Sequence, residues 1–339
     1  MSLVPPKGVY RLSLNENLFL PRDLIEEVLE KASKSIDPRL YAEAYGEELA
    51  ENLSVFHGVD TEEIVVGAGA DYLIYLTAHL GREKGLTIVE PTFEEYERAA
   101  KLLGASYRKV LLSEDFQLIP EKVIERDASL TYMASPNNPT GNQFIRESVG
   151  EVVESFKGIV VVDEAYAEYA RYTLLGEAPS RDNLIVIRTF SKAWGLAGLR
   201  VGYAVTNRGL ANLLRERGMV FACSSLSLKT AVSMLDRWSE VLKAVEEAKN
   251  VREWMRARLS ERPVKVYPSD ANFLLVRLPF SSKLARELLL KKGFAVKDVG
   301  HMPLCANCIR VTVPPKDVAE AFIETLSEIV SSIYPDEVA

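Results

Sequence analysis

Cysteine is scarce in this chain, with three in 339 residues. That is too few to staple a fold of this length, so stability has to come from buried apolar surface. Histidine is equally sparse: only His57, His79 and His301 occur. No Gly-x-Ser-x-Gly elbow accompanies them, which removes support for a serine hydrolase. Long apolar runs are missing too. Stretches such as Ile159-Val160-Val161-Val162 fall far short of the roughly 20 residues that a bilayer span requires. The first seven residues hold no apolar segment of signal-peptide length, so a cytoplasmic protein with no membrane partner is expected. A basic excess is also absent. Forty-one Lys and Arg against 48 Asp and Glu leave a formal charge of −7, the wrong sign for a surface built to hold nucleic acid. A local pocket for a small anion remains compatible with it. Glutamine occurs only at Gln117 and Gln143, beside abundant Glu and Arg, which is the bias hot environments select.

What is present is ordinary soluble composition, 47% hydrophobic and 26% charged, on a chain long enough for two domains. There is no internal repeat and no low-complexity segment. The middle of the chain alternates short apolar runs with helical patterns. Glu63–Val66, Leu86–Val89, Leu130–Ala134, Ile159–Val162 and Leu184–Ile187 are uninterrupted runs, the pattern of strands buried on both faces of a mostly parallel sheet. Between Asp236 and Leu259, apolar residues from Trp238 through Val241, Val245 and Ala248 to Met255 keep helical spacing, which predicts one long helix able to bridge two domains. Beyond it, strands are expected at Ala271–Leu278, Phe294–Lys297 and Ile309–Val313, and helices at Leu284–Lys292 and Asp317–Ile333. The organisation expected is a large domain over residues 36–240. A small α/β domain would be built from 241–339 and 1–35, with Pro5–Asn17 as an arm.

In open parallel sheets, ligands bind beyond the carboxyl ends of the strands. Ile159–Val162 ends in Asp163, and Leu184–Ile187 delivers Thr189, Ser191 and Lys192. The run ending at Val66 leads into Gly67-Ala68-Gly69-Ala70-Asp71. A bare helix start with small residues suits an anion, because free backbone N–H groups and the helix dipole both favour negative charge. As a dinucleotide fingerprint this turn fails: the third glycine is missing and an acidic residue opens the helix. A lysine after a strand is by itself a surface lysine. Around Lys192, however, stand two hydroxyls, Thr189 and Ser191, the glycine-rich Gly195–Gly198 and then Arg200. That is a phosphate cradle beside an amine, with a carboxylate at the neighbouring strand end.

Three segments carry a resemblance. They are Asp163-Glu164-Ala165-Tyr166, Ser135-Pro136-Asn137-Asn138-Pro139-Thr140-Gly141 and Arg188-Thr189-Phe190-Ser191-Lys192-Ala193-Trp194 through Gly202-Tyr203. Together they resemble the class I/II aminotransferases of fold type I, and within them the histidinol-phosphate aminotransferases most. Leu14-Asn15-Glu16-Asn17 and Arg310-Val311-Thr312-Val313 fit as well, so the likeness runs in order over nearly the whole chain. It implies an α/β fold: a three-layer large domain with a mostly parallel central sheet, plus a smaller α/β domain. It implies pyridoxal 5′-phosphate as cofactor, carried by Lys192 as a Schiff base, and no metal. Lys192 would also move the substrate proton, and Asp163 would keep the pyridinium nitrogen protonated, so that the ring works as an electron sink. Asn138 and Tyr166 would hydrogen-bond the ring oxygen, and Phe93 would stack on the ring, with Tyr96 as the rival. Ala70, Asp71, Thr189, Ser191 and Arg200 would hold the cofactor phosphate, the first two through backbone N–H. Tyr41 would reach that phosphate from the other subunit of a homodimer, although Ala42 follows it where the family usually has proline. Arg310 would clamp the substrate carboxylate; Asn17 and Lys297 would complete the substrate site.

The departures concern the substrate. Lys297 stands where the family usually offers an arginine to a substrate phosphate, replacing a planar fork with a point charge. Pro91-Thr92-Phe93-Glu94-Glu95-Tyr96-Glu97-Arg98-Ala99 resembles threonine-phosphate decarboxylase, which has the same fold and cofactor; a general aromatic aminotransferase is a third reading. Both phosphorylated readings share an amino donor or substrate bearing a phosphate. Cys305-Ala306-Asn307-Cys308 is a lone CxxC without a second pair for zinc, so two unbonded thiols are expected, with a loop-clamping disulfide as the rival. A regulator that binds the cofactor without catalysis would bring a DNA-binding module, and the two expected domains use up the chain.

Overall fold

In the computed structural model, residues 8–333 are described; residues 5–7 of the expected arm lie outside them. The chain opens with β1 (Tyr10–Arg11), α1 (Arg22–Lys34) and α2 (Glu47–His57). It continues through β2 (Ile64–Gly67), α3 (Gly69–Ala78), β3 (Leu86–Glu90), α4 (Glu95–Leu102), β4 (Tyr107–Leu111), α5 (Pro120–Ile124) and β5 (Leu130–Ala134). Then come α6 (Arg146–Ser155), β6 (Ile159–Asp163), β7 (Leu184–Thr189), β8 (Gly202–Val205), α7 (Arg208–Arg217), α8 (Ser225–Leu235) and α9 (Trp238–Ser260). The last elements are β9 (Lys265–Val266), β10 (Phe273–Arg277), α10 (Ser282–Lys291), β11 (Phe294–Ala295), β12 (Lys297–Asp298), β13 (Cys308–Thr312) and α11 (Lys316–Ile333).

The apolar runs become a seven-stranded sheet in the order β2-β8-β7-β6-β5-β3-β4, parallel except for β8, which is antiparallel to both β2 and β7. Strand side chains alternate between faces, and here the alternation separates two cores. Val160, Val162 and Val186 point into one, under α2, α6 and α8. Val161, Ile185 and Ile187 point into the other, with Leu73 of α3, Tyr96 of α4 and Leu214 of α7. The result is helix, sheet, helix, and every residue of β7 is buried.

A second sheet, β12-β13-β10-β9, turns Phe273 and Leu275 toward the large core. Its other face gives Leu274, Val276, Ile309 and Val311 to a separate apolar cluster with α10 and α11. The expected strand at Phe294–Lys297 divides into β11, paired with β1, and β12, paired with β13. The long helix α9 places Val241, Val245 and Ala248 in the large core and Val251, Met255 and Leu259 in the small one. Its 23 residues span about 35 Å at 1.5 Å each. Residues 10–34 divide between the two cores: Leu12 lies in the smaller and Val28 of α1 in the larger. Among the described residues no helix is long and apolar enough to cross a membrane.

Candidate active site

The carboxyl ends of β5, β6 and β7 open on a cavity of ≈ 210 Å³. Ala134, Asp163 and Thr189, the last residues of those strands, line it, together with Ser191 and Lys192 from the turn after β7. The start of α3 adds Ala70 and Asp71, the loop after β3 adds Phe93, and the loop after β5 adds Asn138. Tyr166, Arg200 and Arg310 complete the predicted residues that meet here. A cavity of ≈ 400 Å³ lies elsewhere, lined by Arg171, Arg252 and Asp270. Its arginines are already paired, Arg171 with Asp270 and both Arg252 and Arg256 with Glu253, so volume does not make it the reactive site.

Lys192 Nζ donates to the Leu14 carbonyl at 2.9 Å and lies 5.6 Å above the Tyr166 ring. Asp163 is buried. Its Oδ2 accepts from the Tyr96 hydroxyl at 2.7 Å, and its Oδ1 from the Ala165 amide at 3.0 Å. Burial pushes its carboxyl up to about 6, opposed by those two hydrogen bonds; no cation touches it closely enough to undo the desolvation. Tyr96 is thereby spoken for: its ring stacks on Tyr132 at 4.7 Å and its hydroxyl serves Asp163. Phe93 remains the aromatic free to cover a ligand.

At the other end of the cavity, Arg200 donates to Ser191 Oγ at 3.2 Å and to Asp71 Oδ2 at 2.7 Å. Arg200 adopts φ 54°, left-handed backbone that an arginine takes only when its surroundings impose it. Gly69, at φ +83°, has no room for a side chain: a Cβ there would lie 2.6 Å from Arg200 Nη2. No side chain caps the N-terminus of α3. Bare amides, a guanidinium and a serine hydroxyl therefore face one point, the arrangement that holds a phosphate. Arg310 is buried, donates to Asn138 Oδ1 and the Ser13 carbonyl, and lies 5.3 Å over the Phe273 ring. Its Nε is buried without a partner.

Three predicted residues are not on the cavity wall. Asn17 donates its amide to the Ala193 carbonyl at 2.7 Å and accepts from the Phe19 amide, so it clamps the turn after Lys192 rather than facing a substrate. Lys297 lies opposite Arg310 in the β12–β13 pairing, with Nζ 3.8 Å from Glu94. Tyr41 is 85% exposed and stacks on Phe221. Sequence reasoning missed Asn15, whose Nδ2 donates to the Tyr166 hydroxyl at 2.9 Å while its own amide donates to Thr312 Oγ1. It also missed Asn137, fully buried, which accepts from Thr92 and donates to Pro91 and Thr140. Both are polar residues inside recognised motifs, but only their partners reveal their work. Cys305 and Cys308 are buried and unbonded.

The family model described as "Aminotransferase class I and II" matches residues 7–326. The chain belongs to the class I and II aminotransferases. The histidinol-phosphate aminotransferase of Pyrococcus furiosus is 35% identical over 332 residues, covering 95% of this chain and 93% of its own length. Among solved structures, that of the Sinorhizobium meliloti histidinol-phosphate aminotransferase with pyridoxal-5′-phosphate is 25% identical, with TM-score 0.86 over 95% of this chain and 90% of that one. The L-threonine-O-3-phosphate decarboxylase of Porphyromonas gingivalis, 22% identical, has the same fold, with TM-score 0.84 over 94% and 99%.

This aminotransferase uses pyridoxal phosphate, and its cavity fits that group at three points. Asp163 is a buried carboxylate whose desolvation outweighs its hydrogen bonds and the distant Lys192 charge, which suits a protonated ring nitrogen. The cradle of α3, Ser191 and Arg200 is matched to the phosphate. Lys192 lines the same cavity as both.

Proposed function

We propose that this enzyme exchanges an amino group between glutamate and a phosphate-bearing 2-oxo compound, with imidazole acetol phosphate as acceptor and histidinol phosphate as the corresponding amine. The observation that carries the reading is the convergence of Lys192, Asp163 and Arg310 on one cavity. The names of relatives about 35% identical over some 95% of the chain support the choice of substrate.

When bound, pyridoxal phosphate supplies the electron sink that makes a substrate Cα proton removable. The protein does the rest. Asp163 would accept the ring N–H and hold that proton in place. Lys192 would hold the cofactor, and its amine would serve as the base that takes the proton from the substrate Cα. Its neighbours on the wall, the Leu14 carbonyl and the Tyr166 ring, hold the amine at the cavity. Tyr166, held by Asn15, and Asn138 would hydrogen-bond the ring oxygen. Phe93 would cover the ring and keep water off it. The α3 amides at Ala70 and Asp71, with Thr189, Ser191 and Arg200, bind the cofactor phosphate. Arg310 takes the substrate carboxylate or, in histidinol phosphate, the hydroxymethyl end of the molecule. Lys192→Ala lowers turnover by at least about 10²–10⁴-fold while leaving the fold intact by circular dichroism.

The active unit is a homodimer in this reading. Leu40, Tyr41, Met219 and Val220 are 67%, 85%, 66% and 48% exposed, and Tyr41 stacks on Phe221 at 4.8 Å. A contiguous apolar face of this kind belongs at an interface. In such a dimer Tyr41 would serve the partner's cavity.

The deciding experiment presents the holoenzyme with histidinol phosphate and 2-oxoglutarate and follows glutamate. It is run beside tyrosine as amino donor and threonine phosphate with CO₂ detection. Glutamate formation with kcat/KM at least about tenfold above that for tyrosine is expected, the factor that 1.4 kcal/mol of selective binding supplies. CO₂ release from threonine phosphate without amino transfer from histidinol phosphate would overturn it in favour of the decarboxylase.

A further inference from the structure

Asn15, on the terminal arm, lines the cavity and is buried, and each hydrogen bond of its side chain has a fixed sense. Its backbone amide donates to Thr312 Oγ1 at 3.0 Å. The threonine hydroxyl has one proton of its own to give, and it goes to Asn15 Oδ1 at 3.2 Å. Oδ1 is therefore the amide atom that faces Thr312. Nδ2 is left for the other side, where it donates to the Tyr166 hydroxyl at 2.9 Å. Asn15 adopts φ 58°, left-handed backbone that asparagine and aspartate tolerate better than most side chains. Its carbonyl accepts from Asn272 Nδ2 at 3.0 Å, which holds the arm in this place.

The sense of this relay matters because Tyr166 cannot turn away. Its ring is buried and packs edge-on against Phe273 at 5.2 Å, so the oxygen is fixed and only the direction of its proton is free. A phenolic oxygen that accepts from Asn15 keeps its own proton for another acceptor. Among the described residues no other group bonds to that hydroxyl, and Tyr166 lines the cavity. Turning the Asn15 amide over would reverse the arrangement. Oδ1 would take the phenolic proton, and the cavity would be offered lone pairs instead.

We propose that Asn15 is a positioning residue that makes Tyr166 a proton donor toward the cavity, with Thr312 fixing the sense of the Asn15 amide. The proposal rests on the reading above in which Tyr166 meets the ring oxygen of the cofactor. A donor on that oxygen stabilises its anionic form, and so lowers the pH at which the bound cofactor gives up its proton. An acceptor in the same place does the opposite. The charged groups on the cavity, Lys192, Arg310, Arg200, Asp163 and Asp71, act on the same titration, and the variants below leave all five in place.

The test reads the midpoint of the pH-dependent absorbance change of pyridoxal phosphate bound to the holoenzyme. It compares wild type with Tyr166→Phe, Thr312→Val and Asn15→Asp, and makes the last two in the Tyr166→Phe background as well. Tyr166→Phe should raise the midpoint by about one pH unit, the size of one hydrogen bond to a charged group. Thr312→Val keeps the shape and removes the hydroxyl, so neither sense of the amide is preferred. It should raise the midpoint by less than Tyr166→Phe does, and by nothing once the Tyr166 hydroxyl is gone. Asn15→Asp keeps the backbone tolerance and turns the group into an acceptor for the phenolic proton. Its charge raises the midpoint in both backgrounds, and the reversed sense adds about one further pH unit only where Tyr166 is present. If Thr312→Val and Asn15→Asp act equally with and without the Tyr166 hydroxyl, or leave the wild-type midpoint where it was, Asn15 only supports the arm and the proposal is overturned. A midpoint that Tyr166→Phe itself does not move removes Tyr166 from the ring oxygen, and the underlying reading falls along with the proposal. Should Asn15→Asp fail to fold, the uncharged Thr312→Val cycle decides alone.

Discussion

At the scale of single residues, Asp163 has the environment with the clearest consequence. In the protein without cofactor, burial raises its carboxyl from the ordinary 3.8 to about 6. Between those values the unfolded chain has released a proton that the folded chain keeps. Folding therefore weakens as pH rises through that window, by up to about 3 kcal/mol, and levels off above it. Asp163→Asn carries no such titration. The unfolding free energy of the cofactor-free variant, minus that of cofactor-free wild type, should grow from pH 4 to pH 7; denaturant titrations at fixed pH values measure it. A difference that stays flat across the window would contradict a carboxylate whose burial outweighs its hydrogen bonds. Asp163 itself was legible in the sequence, since it ends an apolar run in a recognised motif. Its hydroxyl partner was not. Tyr96 sits 67 positions away, and nothing local distinguishes an aromatic that stacks on a cofactor from one that tunes the acid beneath it.

At the scale of elements, the runs buried on both faces were legible because parallel interior strands must be apolar throughout. The edge strand β4 was not. Its residues Tyr107, Arg108, Lys109 and Leu111 are partly or fully exposed, and charged side chains of this kind protect an edge while hiding it from a search for apolar runs. The strand β8 was hidden differently, as four residues inside a glycine-containing motif. Its position explains Gly202. A Cβ at Gly202 would lie 2.8 Å from the Ala70 amide nitrogen, 2.8 Å from the Gly69 carbonyl carbon and 2.9 Å from the Arg188 carbonyl oxygen. All three are backbone atoms and cannot rotate away. Gly202→Ala should push the start of α3 off the sheet, costing about 1–3 kcal/mol of stability. It should also weaken pyridoxal phosphate binding more than it weakens the rest of the fold. Cofactor titration by absorbance, compared with thermal unfolding of the cofactor-free protein, separates the two; unaltered cofactor affinity would show that the α3 amides do not hold the phosphate.

At the scale of the molecule, the proposed homodimer puts the apolar face around Tyr41 and Phe221 at its interface. Phe221→Glu places a charge in that face and should convert a dimer into a monomer at micromolar concentration, with loss of cofactor affinity if Tyr41 serves the partner's cavity. Sedimentation velocity reads the first effect and cofactor titration the second. A variant that remains dimeric would locate the interface elsewhere. The helix α9 joins the two cores covalently, but hydrogen bonds close the cavity between them. Arg310 meets Asn138 across 172 positions, and Asn15 meets Tyr166 across 151.

Local order was determined by the sequence alone: the strands that end in Asp163 and Thr189, the bare start of α3, the lysine with its hydroxyl neighbours, and the long helix of period 3.6. Each of these is a statement about residues a few positions apart, where backbone geometry and side-chain periodicity act directly. Only the tertiary structure decided which distant groups meet. Tyr96 lies under Asp163, Asn15 on Tyr166, Asn17 on the lysine turn, and Glu94 between Lys297 and His301. Those contacts depend on how two sheets and a terminal arm pack against one another. A packed arrangement is set by the summed burial of many side chains, and no single stretch of sequence records that sum.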